Sequence, residues 1–150
     1  MDAENKEKIE EILKLYPALR SKLYMKMTNY NEIELPLNAI SHSLAKSGKT
    51  NKIHSDIENH ITKIEDVEED IKRIFKVVKS IEIAFDSLPV MQKKVIKKMY
   101  FKDLKNEDIA VDIEKSEKTV RNYRDRAFIR LKNTGLLDIY RKITTELLYN

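Results

Sequence analysis

The spacing of apolar residues between Ile57 and Leu88 constrains this chain most, because it repeats at steps of three and four residues. Steps of that size align side chains along one side of an α-helix and produce a coiled-coil-like seam. A second stripe with similar spacing runs from Ile9 to Tyr30 and contains Pro17. Pro17 is expected to kink that helix or to start a new one. The two stripes are suited to bury each other, either within one chain or between two copies.

The composition predicts an almost entirely helical protein. The 150 residues include only 2 Gly and 3 Pro, while 36% are charged and 41% are hydrophobic. These values are typical of a soluble all-α chain with a modest core. The segment 31–54 contains Pro36 and lacks a sustained helical period, so we predict a mobile connecting loop there. We therefore expect an N-terminal helical hairpin with a coiled-coil-like seam over residues 1–87, followed by a second domain over residues 88–150.

The segment from Asn106 to Leu131 predicts a short helix, a tight turn and a longer basic helix. Asn106 is a favourable N-cap for the first helix, and the small Ala110 allows a second helix to cross closely. Ser116 is expected to cap the second helix, whose apolar residues share one side. These apolar residues are Val120, Ala127 and Leu131. Two helices joined by so short a turn form a helix-turn-helix, a unit whose second helix enters the major groove of DNA.

The opposite side of this second helix is polar and basic. Between Ser116 and Lys132 there are six basic residues and two acidic ones. Arg can donate two parallel hydrogen bonds to guanine and Asn can pair with adenine, so Arg121 and Asn122 are the expected base readers. Thr119, Arg124 and Arg126 are expected to contact phosphate. The candidate DNA-binding residues are Ser116, Glu117, Lys118, Thr119, Arg121, Asn122, Arg124, Asp125, Arg126 and Arg130. The alternative is a solvated basic face on a helix that serves only for packing.

The charge is distributed unevenly along the chain, whose formal net charge is +4. Residues 88–150 hold 15 Lys/Arg and nine Asp/Glu, which gives +6, whereas residues 1–87 hold 14 and 16, which gives −2. Part of the excess is a group of six lysines between Lys93 and Lys105. These lysines either rest on the backbone of a DNA duplex or are simply solvated. Such an asymmetry is what nucleic-acid binding requires.

The second half of the chain resembles the promoter-reading fourth region of bacterial sigma factors. The residues that carry this resemblance are Leu88, Pro89, Val95, Ile96, Tyr100, Ser116, Thr119 and Val120. The whole chain is more similar to phage late-transcription activators of the RinA and ArpU type, which also begin with a helical part carrying a Tyr-Pro pair, here Tyr16-Pro17. Glu114 and Lys115 replace the Gly and apolar residue of the usual turn, so a residue with a side chain must adopt any positive φ there. The resemblance implies a promoter-bound activator that contacts host RNA polymerase.

Other kinds of functional site lack support in the sequence. The segment 47–50, Ser-Gly-Lys-Thr, resembles the end of a phosphate-binding loop, but Ser43 stands where such a loop requires Gly. The three histidines, His42, His54 and His60, lack a second ligand at helical spacing. The absence of Cys excludes disulfides and thiolate metal sites and fits a reducing cytoplasm. No apolar run approaches membrane-spanning length, the N-terminus does not resemble a signal peptide, and no catalytic constellation is visible.

The sequence therefore predicts an all-α, sequence-specific DNA-binding transcriptional regulator in the cytoplasm of a bacterial host. It is expected to be a phage-encoded activator of late genes, with no enzymatic activity, no cofactor and no membrane contact. The expected partners are double-stranded DNA, host RNA polymerase and a second copy in a homodimer. One alternative is a sigma-like factor proper, although the chain has 0 Trp and no aromatic-rich promoter-melting region. Another is a small terminase subunit that binds DNA for packaging, which would form a ring rather than a monomer or dimer.

Overall fold

The structure, a computed structural model, describes the backbone of residues 1–47 and 51–144 and the side chains of residues 1–31 and 54–144. Within these ranges the chain is helical and contains no strand, which confirms the predicted all-α class. The helices are α1 (Ala3–Ser47), α2 (Asn51–Asp86), α3 (Val90–Ile96), α4 (Asn106–Ile113), α5 (Glu117–Asn133) and α6 (Tyr140–Lys142). A π-helical turn, Lys97–Phe101, follows α3, and a 3₁₀ turn, Leu136–Ile139, precedes α6.

Helix α1 continues through both of its prolines, Pro17 and Pro36. The prediction of a mobile loop over residues 31–54 is wrong for the described residues. Their backbone is helical over 31–47 and again over 51–54. Residues 48–50 lie outside the described part. Within α1 beyond Asn31, Pro36 is the only Pro or Gly, and a weak apolar period does not by itself end a helix that has already formed.

The residues Arg20–Phe75 form one compact unit, an antiparallel hairpin of two helices. Two hydrogen bonds define its register. Lys26 Nζ donates to Asp70 Oδ2 at 3.0 Å, and Tyr30 Oη donates to Glu68 Oε1 at 2.9 Å. The partner's number falls as the position along α1 rises, so the two helices run in opposite directions. The hydrogen bond from Lys26 lowers the pKa of Asp70, and Arg73 adds to this effect.

The second compact unit consists of Met1–Leu19 and Lys76–Asn150, of which residues up to Thr144 are described. Its core includes residues of both predicted stripes, namely Ile9, Ile12, Leu13, Tyr16, Leu19, Val78, Ile81 and Leu88. Tyr16 Oη donates to Glu82 Oε1 at 2.8 Å, which fixes the start of α1 beside the end of α2. The stripes thus bury each other here within a single chain. The domain boundary predicted between residues 87 and 88 remains a prediction.

In the described ranges, none of the helices is both long and apolar enough to cross a membrane.

Candidate nucleic-acid interface

The first helix of the predicted helix-turn-helix begins one residue earlier than expected. Asn106 is the first residue of α4, and Lys105 occupies the N-cap with φ −77° and ψ 156° and no side-chain cap. The predicted Asn106 cap is therefore wrong. Glu107 and Asp108 do lie in the first turn, where carboxylates interact favourably with the helix dipole. This interaction helps a helix of only eight residues to start without a cap.

The turn between α4 and α5 consists of Glu114, Lys115 and Ser116. Glu114 adopts the left-handed conformation, with φ 57° and ψ 43°. The Lys115 N–H then donates to the Ala110 carbonyl at 3.0 Å, as in a Schellman motif that closes a helix C-terminus. Glycine is the usual residue at such a position because it has no Cβ to strain. The turn thus has the positive φ anticipated from the sequence, and a glutamate adopts it.

Ser116 caps α5 as predicted. Its backbone is extended, and its Oγ accepts a hydrogen bond from the Thr119 N–H at 3.1 Å. The Ser116 and Thr119 hydroxyl oxygens are also 3.0 Å apart and share a hydrogen bond. Ser116 and Thr119 are therefore hydrogen-bonded to each other, and these bonds fix where α5 begins relative to the turn.

The buried side of α5 holds the helix against its neighbours. Val120, Ala127 and Leu131 are fully buried, as the sequence predicted, and Phe128 is buried too. Val120 belongs to a cluster with Val95 of α3 and with Ile109 and Ala110 of α4. The first turns of α5 are therefore packed against α3 and α4, and core contacts rather than polar residues set the orientation of the helix.

The opposite side of α5 is open to solvent. The exposed candidates are Ser116, Glu117, Lys118, Arg121, Asn122, Asp125, Arg126 and Arg130. Arg121 makes one weak ion pair, with its Nη1 4.0 Å from Glu117 Oε2. Lys118, Arg126 and Arg130 form no ion pair with any described residue. We call the surface formed by Lys118, Arg121, Asn122, Asp125 and Arg126 the outer face of α5; three of its five side chains are cationic and one, Asp125, is anionic.

Arg124 is placed differently from the exposed candidates. The Arg124 side chain is only 19% exposed, and its Nε and Nη2 donate to Asp125 Oδ1 at 3.1 and 3.0 Å. Lys6 Nζ, from the first turns of α1, lies 3.7 Å from the same oxygen. Arg124 is thus largely sheltered and already bonded to a carboxylate, so the structure does not bring it together with the open cations. Its predicted phosphate contact, like the other assigned roles, stays a prediction.

The lysines that precede α4 divide into paired and unpaired groups. Lys93 Nζ lies 3.7 Å from Asp86 Oδ1, and Lys98 Nζ lies 3.1 Å from Asp112 Oδ2. The exposed lysines without an ion pair to described residues are Lys94, Lys97, Lys102 and Lys105. These four add unneutralised positive charge to the compact unit that contains α5.

The start of α1 is a part of this region that the sequence did not reveal. Tyr100 Oη donates to Glu10 Oε1 at 3.3 Å, and Tyr140 Oη donates to Glu11 Oε2 at 2.5 Å. Burial raises the pKa of Tyr100, and the Glu10 carboxylate raises it further. These pairs are separated by 90 and 129 residues along the chain, and no spacing or motif signals them. These two hydrogen bonds therefore attach the first turns of α1 to the π-helical turn and to α6, which belong to the same compact unit as α5.

The described residues form no candidate metal site. No group of three or more His, Cys, Asp or Glu side chains among them is arranged to hold a metal ion. What distinguishes this region is a braced helix-turn-helix with an open cationic face.

Comparison with known proteins places the chain in a family. The chain belongs to the DUF722 family, described as proteins of unknown function, whose family model matches residues 6–133. That range includes α4, the turn and α5 up to its last residue. No curated protein and no solved structure matches the chain.

Proposed function

We propose that this protein is a sequence-specific DNA-binding transcriptional regulator whose helix α5 enters the major groove. The observation that carries the proposal is the division of α5 into two sides. Val120, Ala127 and Leu131 are buried, while Arg121 and Asn122 point into solvent beside Lys118 and Arg126. A helix held rigidly from behind, with Arg and Asn in front, has the chemistry needed to read base edges.

Arg121 and Asn122 are the proposed base readers. The Arg121 guanidinium is free to make two parallel hydrogen bonds to guanine O6 and N7, because its pairing with Glu117 at 4.0 Å is weak and exposed. Asn122 presents an amide that can both donate to and accept from adenine. Each such contact discriminates against a wrong base by about 1–3 kcal/mol.

The remaining cations are proposed to hold the DNA backbone. Lys118, Arg126 and Arg130 lack carboxylate partners among the described residues and are exposed, so they can neutralise phosphates without breaking an ion pair. Lys97, Lys102 and Lys105 can extend this contact. Phosphate contacts fix register and supply affinity, but they do not specify sequence.

The proposed biological role is activation of phage late genes together with host RNA polymerase. Support for this role comes from the resemblance of Leu88–Leu131 to the promoter-reading region of sigma factors and to phage late activators. A protein of this kind acts in the cytoplasm of the bacterial host and needs no catalytic group or cofactor.

The test is to identify the DNA that the full chain selects from the genome that encodes it. Purified protein would be incubated with sheared genomic DNA, and the bound fragments would be sequenced and footprinted. We expect a short recurring sequence upstream of a late operon. Binding without any enriched sequence would contradict base reading, and enrichment at a DNA-packaging site would instead favour a terminase subunit.

A further inference from the structure

The described part of the hairpin Arg20–Phe75 carries an open, largely apolar groove. A groove of about 330 Å³ lies between its two helices, lined by Met27, Tyr30, Asn31, Glu68, Ile71 and Lys72. Several large apolar side chains in the same hairpin are exposed to solvent. They include Met27 at 44% and Phe75 at 52%. We call the six lining residues the hairpin groove.

Two helices alone have only one mutual seam in which to bury apolar residues. In this hairpin Leu23 and Ile74 are buried, whereas Ile71 is only half-buried and Met27 is exposed. An apolar groove of this kind is unfavourable in water and is typical of a surface that another helix covers. The groove therefore indicates a helical partner.

The charges along α2 identify a partner of matching chemistry. Glu65, Glu68 and Glu69 precede the groove's centre, and Lys72 follows one turn later. Lys72 is exposed and forms no ion pair with a described residue. A second α2 running antiparallel to the first places each Lys72 opposite the acidic segment of the other copy, so the pattern is complementary to itself. A two-fold axis repeats every such contact.

We propose that a second copy of this chain docks in the hairpin groove about a two-fold axis, so that two hairpins form an antiparallel four-helix bundle. Met27 and Ile71 of each copy then become core residues of the bundle, and Lys72 of each copy pairs with Glu65 in the acidic segment of the other. This assembly does not depend on DNA binding.

The first test is the mass of the full chain in solution, measured by light scattering during size-exclusion chromatography. We expect twice the 17.7 kDa of one chain at micromolar concentrations. A chain that is still monomeric at about 100 µM would overturn the proposal, because its dimerisation would then be too weak to define a specific surface. A ring of many copies would also overturn it.

The second test compares Met27→Asp with Met25→Asp. Met25 is 64% exposed and does not line the groove, so it is a control with the same residue type, helix and change of charge. Met27→Asp should weaken dimerisation more than about a hundredfold, because it buries a carboxylate in the interface. Met25→Asp should leave the mass unchanged. If the two variants dimerise equally well, the groove is not part of the interface.

The third test is a charge reversal that does not disturb the apolar residues. Lys72→Glu should weaken dimerisation about tenfold, since it replaces two symmetric attractions by repulsions. Adding Glu65→Lys to the same chain should restore the dimer, because each reversed residue then faces a reversed partner; Glu65 is exposed and, unlike Glu68, does not bond Tyr30 within the hairpin. If Met27→Asp loses helix content in circular dichroism, the comparison of Lys72→Glu with the double charge-reversal variant tests the proposal on its own. Failure of the double variant to regain the dimer while its helix content is intact would refute the proposed pairing.

Discussion

The contrast between Arg121 and Arg124 gives the sharpest prediction about α5. Both arginines lie on the same helix, three residues apart, and replacement of either by Ala removes one positive charge. Arg121 is 47% exposed and makes one weak pair, whereas Arg124 is 19% exposed and bonded to Asp125. Their roles in the proposed complex therefore differ, although their contributions to net charge are equal.

Arg121→Ala should cost about 1–3 kcal/mol on the preferred site, or about 5- to 150-fold in affinity. Its effect on folding should stay within about 0.5 kcal/mol, because an exposed pair at this distance contributes little and Arg and Ala are both good helix formers. Arg124→Ala should instead destabilise the fold by about 1 kcal/mol, which lowers the Tm by about 2–4 °C in a chain of this size.

The assay is competition between the preferred duplex and scrambled duplexes, followed by fluorescence anisotropy, beside thermal unfolding of the same samples. Arg121→Ala should reduce the ratio of preferred to scrambled affinity. Arg124→Ala should weaken both duplexes by the same factor, because it removes only charge and support. The reasoning is refuted if the two variants lose specificity equally, since the outer face of α5 would then not be the reading surface.

Three further predictions concern the stability of the fold. Glu114→Gly should raise the free energy of unfolding in urea by about 1 kcal/mol, because it relieves the left-handed strain at φ 57°; a loss would mean that the Glu114 side chain stabilises the turn. Phe128→Ala should lower it by about 3–5 kcal/mol, whereas Ile129→Ala, at an exposed neighbouring site, should cost less than about 1 kcal/mol. Tyr100, whose pKa burial raises, stabilises the fold fully below its unfolded pKa of about 10, and this contribution is lost as the pH rises through the raised value. Tyr100→Phe should therefore reduce the fall in stability between about pH 9 and about pH 11, and an unchanged fall would contradict the burial of this hydroxyl.

The parts of the fold that depend on local spacing could be predicted from the sequence. The Ser116 cap follows from its position before an apolar-periodic segment, and the burial of Val120, Ala127 and Leu131 follows from their shared side of one helix. Asn106 shows the limit of this reasoning. Cap preference does not determine which of two adjacent residues begins a helix, and here the cap falls on Lys105.

The parts that depend on distant contacts could not be predicted. Helical spacing places Arg124 toward the buried side of α5, four residues after Val120, but the approach of Lys6 in the first turns of α1 to Asp125 is a contact between distant residues that no motif signals. The helical backbone over 31–47 was missed for a related reason. The apolar spacing over this segment is too weak to predict a helix. Its residues do not favour a helix strongly, but a long helix tolerates them.

The central claim, that the cations of α5 bind duplex DNA, is tested most directly by the salt dependence of that binding. Affinity would be measured at several salt concentrations for the wild type and for Arg126→Ala/Arg130→Ala, with Lys8→Ala as a control whose lysine is already paired with Glu4. The logarithm of the wild-type affinity should fall linearly with the logarithm of the salt concentration, by about 0.9 per phosphate contact. The double variant should lose about 0.9 of that slope for each arginine, and the control should keep the full slope. An affinity that ignores salt, or a slope that survives loss of both arginines, would contradict the claim.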